Sequence, residues 1–190
     1  MDYMKQSGSK TLVFVGFFAA LIFLGIQIFR IPVPAAVGTP FLHFGHIFVV
    51  LAILCMGPGY STLAAVLGFV IFDILNGYIH AIPNVLVSAV INCLLTGTLF
   101  STLVKHVVDN KKKEYFSALL CAGVYGVLNI VIDFIWSTAE LMITGSSLPA
   151  AIAAELTAIP ATIINSVFTA AGIALLYVPV KKGYNQIFRR

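Results

Sequence analysis

Asn129, Asp133, Trp136 and Glu140 fall at i, i+4, i+7 and i+11, which sets an amide, two acids and the single indole along one helical face. Tyr125 continues that face by one turn. Two shorter polar stripes precede it: Asp73, Asn76 and His80 at i, i+3 and i+7, and Asn84, Ser88 and Asn92 at i, i+4 and i+8. Further on, Glu155, Thr162 and Asn165 add polar groups on either side of Pro160. This is recognition chemistry: hydrogen bonds to a small polar ligand, an aromatic face to stack on, and carboxylates for a cationic or protonatable nitrogen. The competing reading is that these groups tie helices together by hydrogen bonds, each worth about 0.6 kcal/mol. His43 and His46, spaced i, i+3, can fit a metal, but no cysteine or nearby acid completes a ligand set, so they are read as ligand-binding groups. Neither a G-x-S-x-G elbow nor an H-E-x-x-H helix occurs, so no catalytic residue, metal or cofactor is expected.

The elements that position these residues follow from composition. Of 190 residues, 60% are apolar and 9% charged, and mean hydropathy is +1.03, against about 25% charged in a soluble domain. A soluble globular protein is excluded. Apolar runs predict six membrane spans, near 11–29, 41–56, 60–76, 83–104, 115–139 and 148–178. A strand in the second run is disfavoured, because lipid-exposed strands require a closed barrel. The expected fold is an all-α membrane protein, one six-helix bundle filling residues 1–190, with no room for a soluble ATPase domain. Cys55, Cys93 and Cys121 lie inside apolar runs and read as small buried side chains.

Six spans place both termini on one side. Assigning that side to the cytoplasm puts Lys5, Lys10, Lys105, Lys111, Lys112, Lys113, Lys181, Lys182, Arg189 and Arg190 inside, with Asp2, Asp109 and Glu114, and leaves Arg30 alone outside. The positive-inside rule therefore gives N-in, C-in, and it accounts for the net charge of +4 without nucleic acid. In this orientation Asp73 and Asp133 sit about 20 and 27 Å up their spans from the inner face. Because ionisable groups in a span are costly, an outward-opening polar cavity explains them. Arg30 to Pro40, with three prolines, reads as a stiff crossing that caps it. Gly16 and Ala20 form a small-xxx-small pair on the first span, fitted to another helix, either within this bundle or in a partner.

Phe41-Leu42-His43-Phe44-Gly45-His46, Met56-Gly57-Pro58-Gly59-Tyr60, and Gly68 followed by Asp73-Ile74-Leu75-Asn76-Gly77-Tyr78 resemble, in order and spacing, the substrate-binding S components of energy-coupling factor (ECF) vitamin transporters. The likeness is nearest to the branch with hydroxymethylpyrimidine, pyridoxine-type and some riboflavin components. It implies a bacterial plasma-membrane protein that binds a vitamin or precursor under its first loop. It also implies partnership with a transmembrane coupling subunit and two cytosolic ATPases, with Gly16 and Ala20 on the coupling face. No G-x-x-x-x-G-K-[ST] loop occurs, so ATP hydrolysis is expected from those partners. The excess of Asp73, Asp133, Glu140 and Glu155 over Arg30 disfavours anionic ligands. A pyridoxine-type or hydroxymethylpyrimidine-like ligand is placed first; riboflavin, thiamine and pantothenate are the alternatives. The rival classes are a stand-alone secondary transporter or channel, although no inverted repeat is evident, and an intramembrane enzyme.

Overall fold

The long apolar runs can hydrogen-bond their backbones in hydrocarbon only as helices, and in a computed structural model covering residues 8–36, 38–105, 107 and 110–188 they do so. The helices are α1 (Gly8–Gln27), α2 (Gly45–Met56), α3 (Pro58–Asn76), α4 (Ile82–Lys105), α5 (Lys111–Ile143), α6 (Leu148–Leu156) and α7 (Ile159–Phe188). Five of them, α1, α3, α4, α5 and α7, are long and apolar enough to cross a membrane. Lys5, Arg189, Arg190, Asp2 and Asp109, used above for orientation, lie outside the described residues.

The remaining apolar helix, α2, has 12 residues and spans about 18 Å, short of a bilayer core. It lies among α1, α3, α4, α5 and α7, and ten of its residues are buried. Its lack of a polar side follows: a helix enclosed on all faces has no polar face to keep. Gly57, at φ 79°, turns the chain into α3, with Pro58 at the start of that helix. At Gly68 a β-carbon would come within 2.8 Å of the Ala19 carbonyl oxygen and Ile22. Glycine is what lets α1 and α3 approach this closely.

Two expectations need correction. The continuous span over 148–178 is broken at Thr157 and Ala158 into α6 and α7. Pro160 has no N–H to continue a helix from the preceding turn and is tolerated only near a helix start, where it sits in α7. The second run also does not begin as a helix. Phe41–Leu42 (β2) pairs antiparallel with Ile31–Pro32 (β1), and Val33 N donates to the Pro40 carbonyl at 2.8 Å. The prolines keep this segment extended, and a ladder of two residues folds the first loop into a hairpin at one end of the bundle.

Candidate functional site

At the end of the bundle carrying that hairpin, a cavity of about 300 Å³ opens between α4, α5, α7 and the α2 entrance. One wall is two ladders of every fourth residue: Asn84, Ser88 and Asn92 on α4, and Tyr125, Asn129, Asp133 and Ser137 on α5. The facing wall is largely rings, from Phe41, His43, His46 and Phe69. Ile26, Pro40, Val85, Ala89 and Ala161 add apolar lining, and Glu155, Ala158, Thr162 and Asn165 supply it from α6, α7 and the corner between them. Burial raises the Glu155 carboxyl above its ordinary range, and the charge of Glu140 adds to the rise. Among the described residues no lysine or arginine lines this space.

The polar wall is internally ordered. Asn129 Nδ2 donates to Asp133 Oδ2 at 2.9 Å, and Asn92 Nδ2 donates to Asn129 Oδ1 at 3.4 Å. Ser88 Oγ donates to Asn84 Oδ1 at 2.9 Å. Asn92 Oδ1 is left buried without a partner among the described residues, an acceptor whose satisfaction a bound donor would supply. On the facing wall His46 Nδ1 and the Tyr125 hydroxyl share a hydrogen bond of 2.9 Å, and the His43 and His46 rings lie 4.7 Å apart. Gly45 N donates to His43 Nδ1 at 3.1 Å. That bond requires Nδ1 to be unprotonated, so His43 carries its proton on Nε2.

The hairpin is pinned on both sides of the cavity. Ala36 N donates to Thr157 Oγ1 at 2.8 Å, across to the α6–α7 corner. At the other side the Arg30 guanidinium carbon lies 5.8, 5.7 and 6.0 Å from the rings of Phe41, Phe72 and Tyr78, and Nη1 donates to Asn76 Oδ1 at 3.3 Å. Arg30, among the described residues the one lysine or arginine at this end, is thus caged by aromatic faces.

Of the residues singled out from the sequence, His43, His46, Asn84, Asn92, Tyr125, Asn129, Asp133 and Asn165 line the cavity. Asn165 is spent on the backbone: its Oδ1 accepts from His43 N at 2.9 Å and its Nδ2 donates to the Phe41 carbonyl at 3.0 Å. It fixes β2 and the α2 entrance to α7. Five others do not line the cavity. Asp73 is buried beside the α3 terminus, with Oδ2 unpartnered among the described residues. Asn76 is held by Arg30, Gln27 and the Phe72 carbonyl. His80 and Glu140 are exposed, and Trp136 is half-buried outside the lining.

The phase of the stripe explains the last two. The lining follows an i+4 row, which is inclined to the helix axis, so by position 137 the face has turned from Trp136 and Glu140 toward Ser137. Ser137, absent from the stripe read above, is the next position of the row that Tyr125, Asn129 and Asp133 define. Phe69, Phe41 and Ile26 carry no signal distinguishing them from other apolar residues. Gly16 and Ala20 are both exposed on α1, and nothing lies within 4 Å of where a Gly16 β-carbon would stand. They do not pack within this bundle. Among the described residues there is no cluster of three or more histidines, cysteines or acids able to hold a metal.

A polar cavity beside a hairpin, at one end of a bundle with five helices able to cross a membrane, is the arrangement of a multi-pass membrane protein with room for a small molecule. The family model described as "ECF-type riboflavin transporter, S component" matches residues 6–182, and the chain belongs to that family. It is therefore a substrate-binding subunit for vitamin uptake and not an enzyme. S components work with a membrane coupling subunit and ATPases, which replaces the stand-alone transporter and channel readings. The crystal structure of the S component for biotin from an ECF-type ABC transporter shares its fold, with a TM-score of 0.63 and 18% identity over 96% of each chain. No curated protein matches the chain.

Proposed function

We propose that this single-domain chain, residues 1–190, is the S component for a flat, neutral or protonatable heteroaromatic vitamin or precursor, held between the α4–α5 amide and acid wall and the rings of Phe41, His43, His46 and Phe69. The observation that carries this is the charge pattern of the cavity: Asp133 and Glu155 line it without a permanent cation. Arg30, the nearest candidate, has its guanidinium against Phe41, Phe72 and Tyr78. A carboxylate ligand such as biotin or pantothenate lacks a counter-charge there, whereas a ring nitrogen or N–H meets acceptors. The family description moves riboflavin ahead of the pyridoxine-type and hydroxymethylpyrimidine compounds that the residues alone put first.

The chain sits in a bacterial plasma membrane with the cavity facing outward and both termini inside. Lys105, Lys111, Lys181 and Lys182 fall at the helix ends opposite the hairpin, which supports this orientation. It delivers its ligand with a coupling subunit and two ATPases, docking through the exposed Gly16–Ala20 face of α1.

Titration of the detergent-purified protein with riboflavin, pyridoxine, hydroxymethylpyrimidine, thiamine, biotin and pantothenate tests the reading, followed by calorimetry and melting temperature. One heteroaromatic compound is expected to bind at submicromolar concentration and raise the melting temperature. Saturable binding of only biotin or pantothenate, or of none of the six, overturns the ligand assignment. Uptake into vesicles by the chain alone, driven by an ion gradient, overturns the proposed dependence on partners.

A further inference from the structure

At the end of the bundle opposite the ligand cavity, a second recess of about 410 Å³ lies between the first turns of α5 and the last turns of α7. Lys111, Lys181 and Lys182 line it, and among the described residues Glu114 is the one acid in its lining. Glu114 is engaged, since its Oε1 accepts from the Tyr177 hydroxyl at 2.6 Å. Lys181 is buried and donates Nζ to the Leu54 carbonyl at 2.9 Å, which anchors this wall to the end of α2. Lys111 and Lys182 are exposed. Asn185 and Gln186 add amide groups, and Tyr115, Tyr177 and Val178 add apolar surface.

Depth matters as much as charge. Tyr115 and Asp133 are eighteen residues apart on one continuous helix, a rise of about 27 Å. That is close to the thickness of a hydrocarbon core, about 30 Å. The recess therefore lies at the opposite bilayer interface from the ligand cavity. A net-positive hollow between two membrane helices, at headgroup depth and with an apolar side, has the features that recruit acidic headgroups.

We propose that this recess binds the phosphate headgroup of an anionic phospholipid, with Lys111 and Lys182 supplying the charge, Asn185 and Gln186 the hydrogen bonds, and the Tyr115–Val178 side the first acyl methylenes. The shared chemistry is an anionic phosphate group, which free phosphate also offers. Headgroup depth and the apolar side favour the lipid.

The test is native mass spectrometry of the full chain released from nanodiscs containing equal phosphatidylglycerol and phosphatidylcholine. Wild type is expected to retain phosphatidylglycerol preferentially. Lys111→Gln with Lys182→Gln is expected to lower that preference by about twenty-five-fold, at about fivefold per lysine. The Lys→Arg pair is expected to keep it. A cooperative melting transition at the wild-type temperature in detergent reports that both variants are folded. In a second arm, the detergent-purified chain is titrated with inorganic phosphate. Equal retention of the two lipids by wild type, or an unchanged preference in the glutamine pair, overturns the proposal. So does stabilisation by millimolar inorganic phosphate without a lipid preference, which assigns the recess to a soluble phosphate compound instead.

Discussion

Asn129 donates its amide Nδ2 to Asp133 Oδ2 at 2.9 Å, and that bond decides how the next amide must face. With its N–H committed to the carboxylate, Asn129 turns Oδ1 toward Asn92 and accepts from Nδ2 at 3.4 Å. Asn92 Oδ1 is left without a partner among the described residues. One acid thereby orients two amides before any ligand arrives, which lowers the reorganisation cost of binding.

Asp133→Asn removes the charge that fixes this order, because an amide partner can accept or donate and Asn129 is free to flip. Ligand affinity is expected to fall about tenfold or more, the loss of about one charge-assisted contact. Isothermal titration measures it, and an unchanged dissociation constant removes Asp133 from the site.

Helix α5 gives a paired contrast. Tyr125→Phe deletes the hydroxyl that meets His46 Nδ1 at 2.9 Å, and it is expected to weaken binding about fivefold. Trp136→Phe alters a side chain outside the cavity lining and is expected to leave affinity within twofold. A large loss in the tryptophan variant, seen by the same titration, would return the indole to the site as a stacking surface.

These two residues also show how far the sequence could be read. The helical class, the polar stripes and the pairing of acids with amides follow from hydropathy and spacing, because a membrane interior permits few other uses of an acid. Helix phase does not follow from those signals. The i, i+4, i+7, i+11 stripe and the i+4 row share Asn129 and Asp133 but then diverge to Trp136 and to Ser137. Only packing against α4 and α7 decides between them. The same holds for Asp73, which lies outside the cavity lining: span and depth are legible in the sequence, rotation is not. The break before α7 was signalled by Pro160, yet Ala-rich sequence on both sides concealed where the helix stops. Asn165 reads from the sequence as a polar group within its span, but its bonds to Phe41 and His43 span more than a hundred residues. No local pattern encodes such a contact.

Arg30 supplies a kinetic prediction. Its guanidinium meets three rings and Asn76, and together these fix the start of the hairpin whose Pro40 and Phe41 line the cavity. Cation–aromatic contacts at partly exposed sites contribute about 0.5–1 kcal/mol each. Arg30→Gln is expected to accelerate ligand dissociation about tenfold with little change in association, since the loop must open in either case. Stopped-flow displacement by excess ligand reads this directly. Equal dissociation rates in wild type and variant would show that the hairpin is held without the cage.

Two glycines on neighbouring helices separate internal packing from external docking. At Gly68 an added methyl would stand 2.8 Å from the Ala19 backbone oxygen and from Ile22, and backbone cannot move aside cheaply. Gly68→Ala is expected to cost about 1–3 kcal/mol of stability, seen as a lower melting temperature. At Gly16 the same methyl meets nothing within 4 Å, although its neighbour Phe18 is buried on the other face of α1. Gly16→Leu is therefore expected to leave the melting temperature and ligand affinity of the isolated chain unchanged. If the Gly16–Ala20 face meets the coupling subunit, the same bulk obstructs close helix approach, and ATP-driven uptake by the reconstituted transporter is expected to fall severalfold. Transport at the wild-type rate by Gly16→Leu would place the docking surface elsewhere on the bundle, because a leucine cannot be hidden at a contact that a glycine was needed to close.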